Sequence, residues 1–210
     1  MMYLLVGAAV LIGVVFVLKA LRRRSLGMVV IENPVLGILN LAGPSGETLL
    51  EQDLALIGPL FGTTRRSEGT PPSCDVLLVY CEIVPNGIVK GANRNLRELI
   101  RDAGASVVVV AMDHPIDAYI AAAPQLPFGS ANLVMTLDRK GVGLPSFLAR
   151  LFERMHAGTS MPTAWNELAP QVPGVGRADT PETVFACERG QLAFGAAQQG
   201  VAADGAATRS

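Results

Sequence analysis

The sequence predicts an α/β domain with a mostly parallel sheet flanked by helices, preceded by one transmembrane helix. Three observations predict this class. The chain of 210 residues opens on an uncharged apolar run. Two later apolar runs, DVLLVYCEI and SVVVVAMD, are typical of central parallel strands that are covered on both faces. Segments with a helical spacing of apolar residues separate the strand-like runs, which indicates βαβ units.

The opening run, residues 1–18, has the length and composition of a membrane span. About 17–25 apolar residues cross the hydrocarbon core of a bilayer. No charge precedes the run and KALRRRS follows it, which is the reverse of a cleaved signal peptide. The positive-inside rule therefore predicts a single-pass protein of the inner (cell) membrane, with its N-terminus outside and everything after Ser25 in the cytoplasm.

Three regions follow from this pattern. Residues 1–24 form the transmembrane anchor and its basic flank, residues 25–194 the cytoplasmic α/β domain, and residues 195–210 a tail. The tail has too little apolar bulk to fold and is expected to be disordered. Ala9 and Gly13 have the small-xxx-small spacing that lets membrane helices pack closely, although both residue types are also common in membrane spans generally.

The first half of the domain begins with a strand predicted over MVVIENP. The loop GILNLAGPSG follows, and Ser45 is expected to cap a helix that ends at Gly58-Pro59. TTRRSEGTPPS is interpreted as a polar loop. DVLLVYCEI is the next strand, and a helix capped by Asn93 or Asn95 runs to Gly104.

The second half begins with the strand SVVVVAMD, since consecutive valines favour a buried pleated surface. A short helix over 118–123 and the strand NLVMTLD follow. Apolar side chains share one helical face over 144–155, a further turn begins at Ser160, and TVFACE is a last strand. In such sheets the functional loops lie at the carboxyl ends of the strands, here beginning at Asn33, Cys81, Met112 and Asp138.

Composition excludes several functions. The formal net charge is −1, four basic residues form one run at 19–24 and the rest of the chain is mildly acidic, so direct DNA binding is not expected. There is no glycine-rich phosphate loop and no G-x-S-x-G elbow. Three cysteines in unrelated contexts and two histidines give neither a disulfide framework nor a zinc site, and no metal or cofactor is predicted.

Cys81 and His114 are the candidate nucleophile and base. Both follow apolar strands that are consecutive in the chain, so their side chains can meet above the sheet. A cysteine peptidase needs a thiolate that a nearby imidazole activates. The alternative is structural, because cysteine is among the most buried residue types and a histidine before proline often lies in a loop without a catalytic role.

Charged residues at the strand ends offer two further hypotheses. Arg139 and Lys140 are candidates for binding a small anionic ligand or a nucleotide, against the alternative of an exposed charged turn. Glu82, Asp113 and Asp138 follow three strands and are oxygen ligands of the kind that divalent cations take. Nothing in the sequence fixes the distances between these carboxylates.

The segment ANLVMTLDRKGVGLPSFLARLFERMHAGTSMPTAWNELAPQ resembles the closing unit of CHAT domains, the bacterial branch of the caspase-like fold. The pattern positions are Phe152, Met155, Gly158, Ser160 and Ala164. Upstream, IENPVLGILNLAGPSGETLLEQDLALIGPLFG is similar to the family's opening strand, which ends in asparagine-proline, and its following helix. The resemblance covers most of residues 28–170.

The resemblance implies a caspase-like three-layer fold, with a catalytic histidine after one central strand and a catalytic cysteine after the next. In one register, Cys81-Glu82 stands where the family has His-Gly, and 112–114 stands where it has Ala-Cys. In a second register, VLLVYCEI is the family's cysteine strand, because YCE resembles ACE. The resemblance as a whole implies that Cys81 either belongs to a swapped pair with His114 or is a residue of a domain that has lost catalysis.

Three functional hypotheses remain open at this point. The first is a membrane-anchored caspase-like domain that binds or oligomerises as a sensor or scaffold, a role that the resemblance links to bacterial defence or signalling. The second is a membrane effector gated by a (cyclic) nucleotide on a Rossmann-like sensor domain, and the third a cysteine peptidase. The expected partners are the membrane and further copies of the chain, since one helix encloses no pore.

Overall fold

The computed structural model describes residues 27–84, 86–122, 130–169 and 179–195. The strands are β1 Val29–Ile31, β2 Val35–Asn40, β3 Thr63–Ser67, β4 Val76–Tyr80, β5 Ile88–Val89, β6 Arg94–Asn95, β7 Val107–Val110, β8 Asn132–Asp138, β9 Glu182–Cys187 and β10 Leu192–Phe194. The α-helices are α1 Pro44–Ile57, α2 Leu96–Ala103, α3 Ile116–Ala122, α4 Gly143–His156 and α5 Met161–Leu168, and a 3₁₀ turn at Gly58–Leu60 follows α1.

In this part of the chain, six strands form the main sheet in the order β3-β2-β4-β7-β8-β9. The first five are parallel, and β9 pairs antiparallel with β8. The α/β class with a mostly parallel sheet is thus confirmed. The chain goes from β2 outward to β3 and then returns to the other side of β2 for β4, so the strand order reverses between β2 and β4.

The main sheet carries helices on both faces because its central strands are apolar on both sides. One core packs alternate residues of the sheet against α1, α4 and α5, and the other packs the intervening residues against α2 and α3. Neighbouring residues at the carboxyl end of β4 divide accordingly. Tyr80 belongs to the first core, and Cys81, the next residue, belongs to the second.

Two small sheets lie outside the main one. β1 pairs in parallel with β10, and β5 pairs antiparallel with β6 to form a short hairpin between β4 and α2. The helix after this hairpin begins as the sequence predicts. Asn95 accepts the backbone N–H of Glu98, the Glu98 side chain accepts the N–H of Asn95, and Gly104 ends α2 in the left-handed region.

Two segments predicted as loops are strands. β2 is a fully internal strand, although Gly37 and the Gly-Pro that follows it suggested a loop. Gly37 is needed there because a Cβ atom would lie 2.3 Å from the Cys74 sulfur. β3 is polar and exposed because it is an edge strand, which needs no apolar side chains to pair with β2. In contrast to the expected Ser45 cap, Gly43 is the N-cap residue of α1, and the Ser45 hydroxyl donates to the Ala42 carbonyl.

The predicted membrane anchor, residues 1–24, and the predicted tail fall outside the described residues, apart from Gly195. Within the described ranges, none of the helices has the length and apolar character needed to cross a bilayer.

Candidate functional site

The main sheet reverses its strand order between β2 and β4, and ligands of open α/β sheets bind at such a point, beyond the carboxyl ends of the strands. An open cavity of about 660 Å³ lies there. Its walls come from the turn after β2, the first turn of α1, the segment after β3 and the hairpin between β4 and α2. The lining includes Asn40, Gly43, Glu47, Thr48, Glu68 and Gly91.

Asn40, the last residue of β2, shapes this cavity. Its side chain is buried and accepts the backbone N–H of Ala42 while donating to the carbonyl of Gly43 and to Glu47. A Cβ atom on Gly46 would lie 2.3 Å from the Asn40 carbonyl oxygen. Asn40 therefore fixes the turn that leads into α1, and only glycine at position 46 lets the helix start so close to it.

Carboxylates give the cavity its charge. Glu47 is 2.5 Å from the Arg66 guanidinium, which also contacts Glu51 at 3.3 Å. The hydrogen bond from Arg66 lowers the pKa of Glu47, so this carboxylate is ionised at neutral pH. Glu68 adds a second, exposed carboxylate to the wall. The cavity thus favours cationic or neutral polar groups over polyanions.

The hairpin side of the cavity is held against the turn after β2. Gly91 has φ +87, and a Cβ atom there would lie 3.2 Å from the Leu41 carbonyl oxygen. The Leu41 N–H donates to the Tyr80 carbonyl at 2.8 Å, and the Lys90 N–H donates to the Glu82 carbonyl at 2.9 Å. The cavity therefore adjoins the Cys81-Glu82 position that the sequence singled out.

Cys81 lies at the carboxyl end of β4, but its thiol is inaccessible. The residue has no exposed surface and packs in the core beneath α2 and α3. Burial raises the pKa of the thiol to about 12, so almost none of it is thiolate at neutral pH. Cys81 has the environment of a small apolar core residue.

His114 lies after β7, the strand next to β4, so the two predicted partners do follow adjacent strands. Both ring nitrogens of His114 contact backbone groups. Nδ1 is 2.8 Å from the Met112 carbonyl, and Nε2 accepts the Ile83 N–H at 3.3 Å. Burial lowers the pKa of the imidazole, which favours the neutral ring that these contacts require. The imidazole holds the segment after β4 in place, and neither nitrogen is left for a thiol.

Arg139 is buried and forms an ion pair with Asp53 of α1. One terminal guanidinium nitrogen lies 2.6 Å from Asp53 Oδ1, and the other terminal nitrogen donates to Asp53 Oδ2 and to the Ala111 carbonyl. The Tyr80 hydroxyl donates to Asp53 at 2.7 Å. The exposed fraction of Arg139 is 4%, so it offers no surface to a ligand.

Lys140 also has carboxylate partners, Asp138 at 2.5 Å and Glu182 at 3.6 Å. The Arg139-Lys140 pair therefore does not present free positive charge as the sequence suggested. The three carboxylates proposed for a cation each have another partner, which for Asp138 is Lys140. Glu82 pairs with Lys90, and Asp113 accepts the backbone N–H of Arg139. The described ranges contain no group of three or more side chains placed to hold a metal ion.

No family model, curated protein or solved structure matches this chain.

Sequence reasoning missed the site at the end of β2, since it placed the first functional loop at Asn33. One signal was present. Asn40 follows VLGIL and precedes LAGPSG, which is the pattern of a strand that ends in a turn before a helix.

Proposed function

We propose that the chain is a membrane-anchored, caspase-like domain that acts by binding a partner and not by cleaving peptide bonds. The state of the two side chains at the catalytic positions carries this proposal. The Cys81 thiol is buried and protonated, and the His114 ring is engaged by backbone groups at both nitrogens. A peptidase needs the opposite of both: an accessible thiolate and a base that can reach it.

The resemblance to CHAT domains agrees with the architecture in one respect. It implies catalytic residues after two consecutive central strands, and β4 and β7 are neighbours with Cys81 and His114 beyond their ends. These positions then belong to a caspase-like scaffold that has lost its chemistry. The domain works as a sensor or scaffold, and copies tethered in one membrane meet at raised effective concentration, which favours a homo-oligomer.

The cavity between β2 and β4 is the binding site in this proposal. Its carboxylates Glu47 and Glu68 suit a basic or neutral polar segment of a partner protein. A nucleotide is the weaker candidate, because its phosphates would meet these carboxylates and because Arg139 is already paired with Asp53.

Thiol alkylation of the full-length chain in detergent tests the proposal. We expect Cys187, which is exposed, to react with iodoacetamide, and Cys74 and Cys81, which are buried, to react only after unfolding. The Cys187→Ser variant is the control and should show no labelling in the native state. Rapid alkylation of native Cys81 that slows in the His114→Ala variant would contradict the proposal and restore the cysteine peptidase.

A further inference from the structure

A groove of about 300 Å³ lies at the opposite edge of the sheet, where the parallel strands begin. Three arginines surround it. Arg97 and Arg101 come from α2, and Arg189 comes from the turn between β9 and β10. All three are exposed, and Gly104 and Ser130 complete the walls.

These arginines carry charge that the surrounding protein leaves largely unbalanced. Among the described residues, the guanidinium groups of Arg97 and Arg189 have no ion-pair or hydrogen-bond partner. Arg101 contacts Asp102 at 3.5 Å, but the same carboxylate is already 2.5 Å from Arg94. The groove is therefore a site of net positive charge on a chain that is slightly acidic as a whole.

The turn that carries Arg189 is hydrogen-bonded to Asn132, the first residue of β8. Asn132 accepts the backbone N–H of Arg189 at 3.0 Å and donates to the Gly190 carbonyl at 2.9 Å. One residue later, the Gln191 carbonyl accepts the N–H of Val29 at 2.8 Å. The start of β1 therefore lies at the same edge as the arginines.

β1 exposes apolar side chains at this edge. Met28, Val29 and Val30 are 51%, 43% and 44% exposed, whereas β10, the pairing partner of β1, is buried. β1 has no second neighbour among the described strands. Exposed consecutive apolar residues beside a cluster of arginines have the composition of a surface that lies at the polar boundary of a bilayer.

The preceding sequence brings this edge close to the proposed membrane anchor. Arg24, the last residue of the basic flank, precedes Val29 by five residues. An extended chain spans about 3.5 Å per residue, so the two are at most about 18 Å apart. The groove and β1 are thus within reach of the headgroup layer at which the proposed anchor would end.

We propose that the sheet's amino-terminal edge docks on anionic phospholipid, with headgroup phosphates bound by Arg97, Arg101 and Arg189. This inference rests on the proposed function, which supplies the anchor. Guanidinium groups bind phosphate oxygens in pairs, and each arginine near an anionic surface strengthens binding by a factor of about five. Met28, Val29 and Val30 enter the interfacial layer beside them. The cavity at the carboxyl edge then faces away from the bilayer, open to a cytoplasmic partner.

The test uses the full chain in lipid nanodiscs with a fluorophore on Cys187, which lies two residues before Arg189 and is exposed. The quencher is a nitroxide on the lipid headgroup. In discs that contain phosphatidylglycerol we expect stronger quenching than in pure phosphatidylcholine, and high salt should reduce the difference. The variant Arg97→Gln/Arg101→Gln/Arg189→Gln should lose the dependence on phosphatidylglycerol.

A matched control removes the same charge elsewhere. The variant Arg66→Gln/Lys90→Gln/Lys140→Gln changes ion-paired residues away from the arginine groove and should quench like the parent chain. Equal quenching of the arginine variant and the parent chain would refute the docking. Quenching that appears only with two copies per disc would also refute it, because β1 would then pair with a second chain.

Retention of the chain in the discs after an alkaline wash reports on the anchor separately. A chain that is retained but shows no quenching in any lipid overturns the docking and leaves the anchored domain standing. A chain that is washed out overturns both.

Discussion

Tyr80 and Cys81 are neighbours in the sequence, yet their surroundings differ completely. Because side chains alternate across a strand, Tyr80 points to the face of α1 and α4, where it meets the buried Asp53–Arg139 ion pair. Cys81 points to the face of α2 and α3, among apolar side chains. The sequence suggested chemistry at Cys81, but the buried charges lie on the other face.

The two faces also balance their polar groups differently. On the Tyr80 face two opposite charges and a hydroxyl bind one another across 86 residues of chain, and Nε of Arg139 is left without a hydrogen-bond partner among the described residues. On the Cys81 face the only buried polar side chain among those described near the thiol, His114, is neutral and bonds to backbone groups. The role of a cysteine or a histidine that could serve in catalysis is therefore set by the groups that surround it.

The largest expected effect comes from breaking the ion pair. Arg139→Met leaves the Asp53 carboxylate buried without its counter-charge and should lower the free energy of unfolding by about 3–5 kcal/mol. The triple variant Asp53→Leu/Tyr80→Phe/Arg139→Met replaces the whole network by apolar groups and should recover most of this loss. Urea unfolding of the variants measures both. A single variant as stable as the parent chain would show that Asp53 reaches water.

A smaller effect is expected on the other face. His114→Ala removes the acceptor of the buried Ile83 N–H and should lower the free energy of unfolding by about 1–3 kcal/mol. Hydrogen exchange at Ile83 should accelerate, while amides of the β7 strand interior change less. If His114 were instead a free base in the cavity, its removal would leave both measurements unchanged.

The smallest effect is a pH dependence from the same imidazole. Burial lowers the pKa of His114 below its ordinary value of 6.5, so the unfolded chain binds a proton more readily than the folded one. Stability should therefore fall as the pH drops through 6.5, by at most about 1.4 kcal/mol between pH 7.5 and pH 5.5. Urea midpoints at pH 7.5 and 5.5 measure it, with His114→Asn as the control that lacks this contribution. A parent chain and control with identical pH dependence would contradict it.

Much of the fold could be predicted from local pattern. The runs that became β4 and β7 are apolar throughout, β8 is mostly apolar, and α2 has its capping residues at both ends, so these elements are fixed by neighbours in the chain. β2 and β3 were missed because their signals depend on partners. The glycine at position 37 is explained only by its close contact with Cys74. The polar side chains of β3 are tolerated only at the edge of the sheet.

The candidate site divides in the same way. Sequence alone determined that side chains after β4, β7 and β8 would gather at one edge, since parallel strands present their carboxyl ends together, and Cys81 and His114 do follow adjacent strands. Only the tertiary structure decided which of them reach solvent and which charges cancel. The physical reason is that ionisation and exposure depend on atoms a few ångströms away in space, and Asp53, which neutralises Arg139, is 86 residues away along the chain.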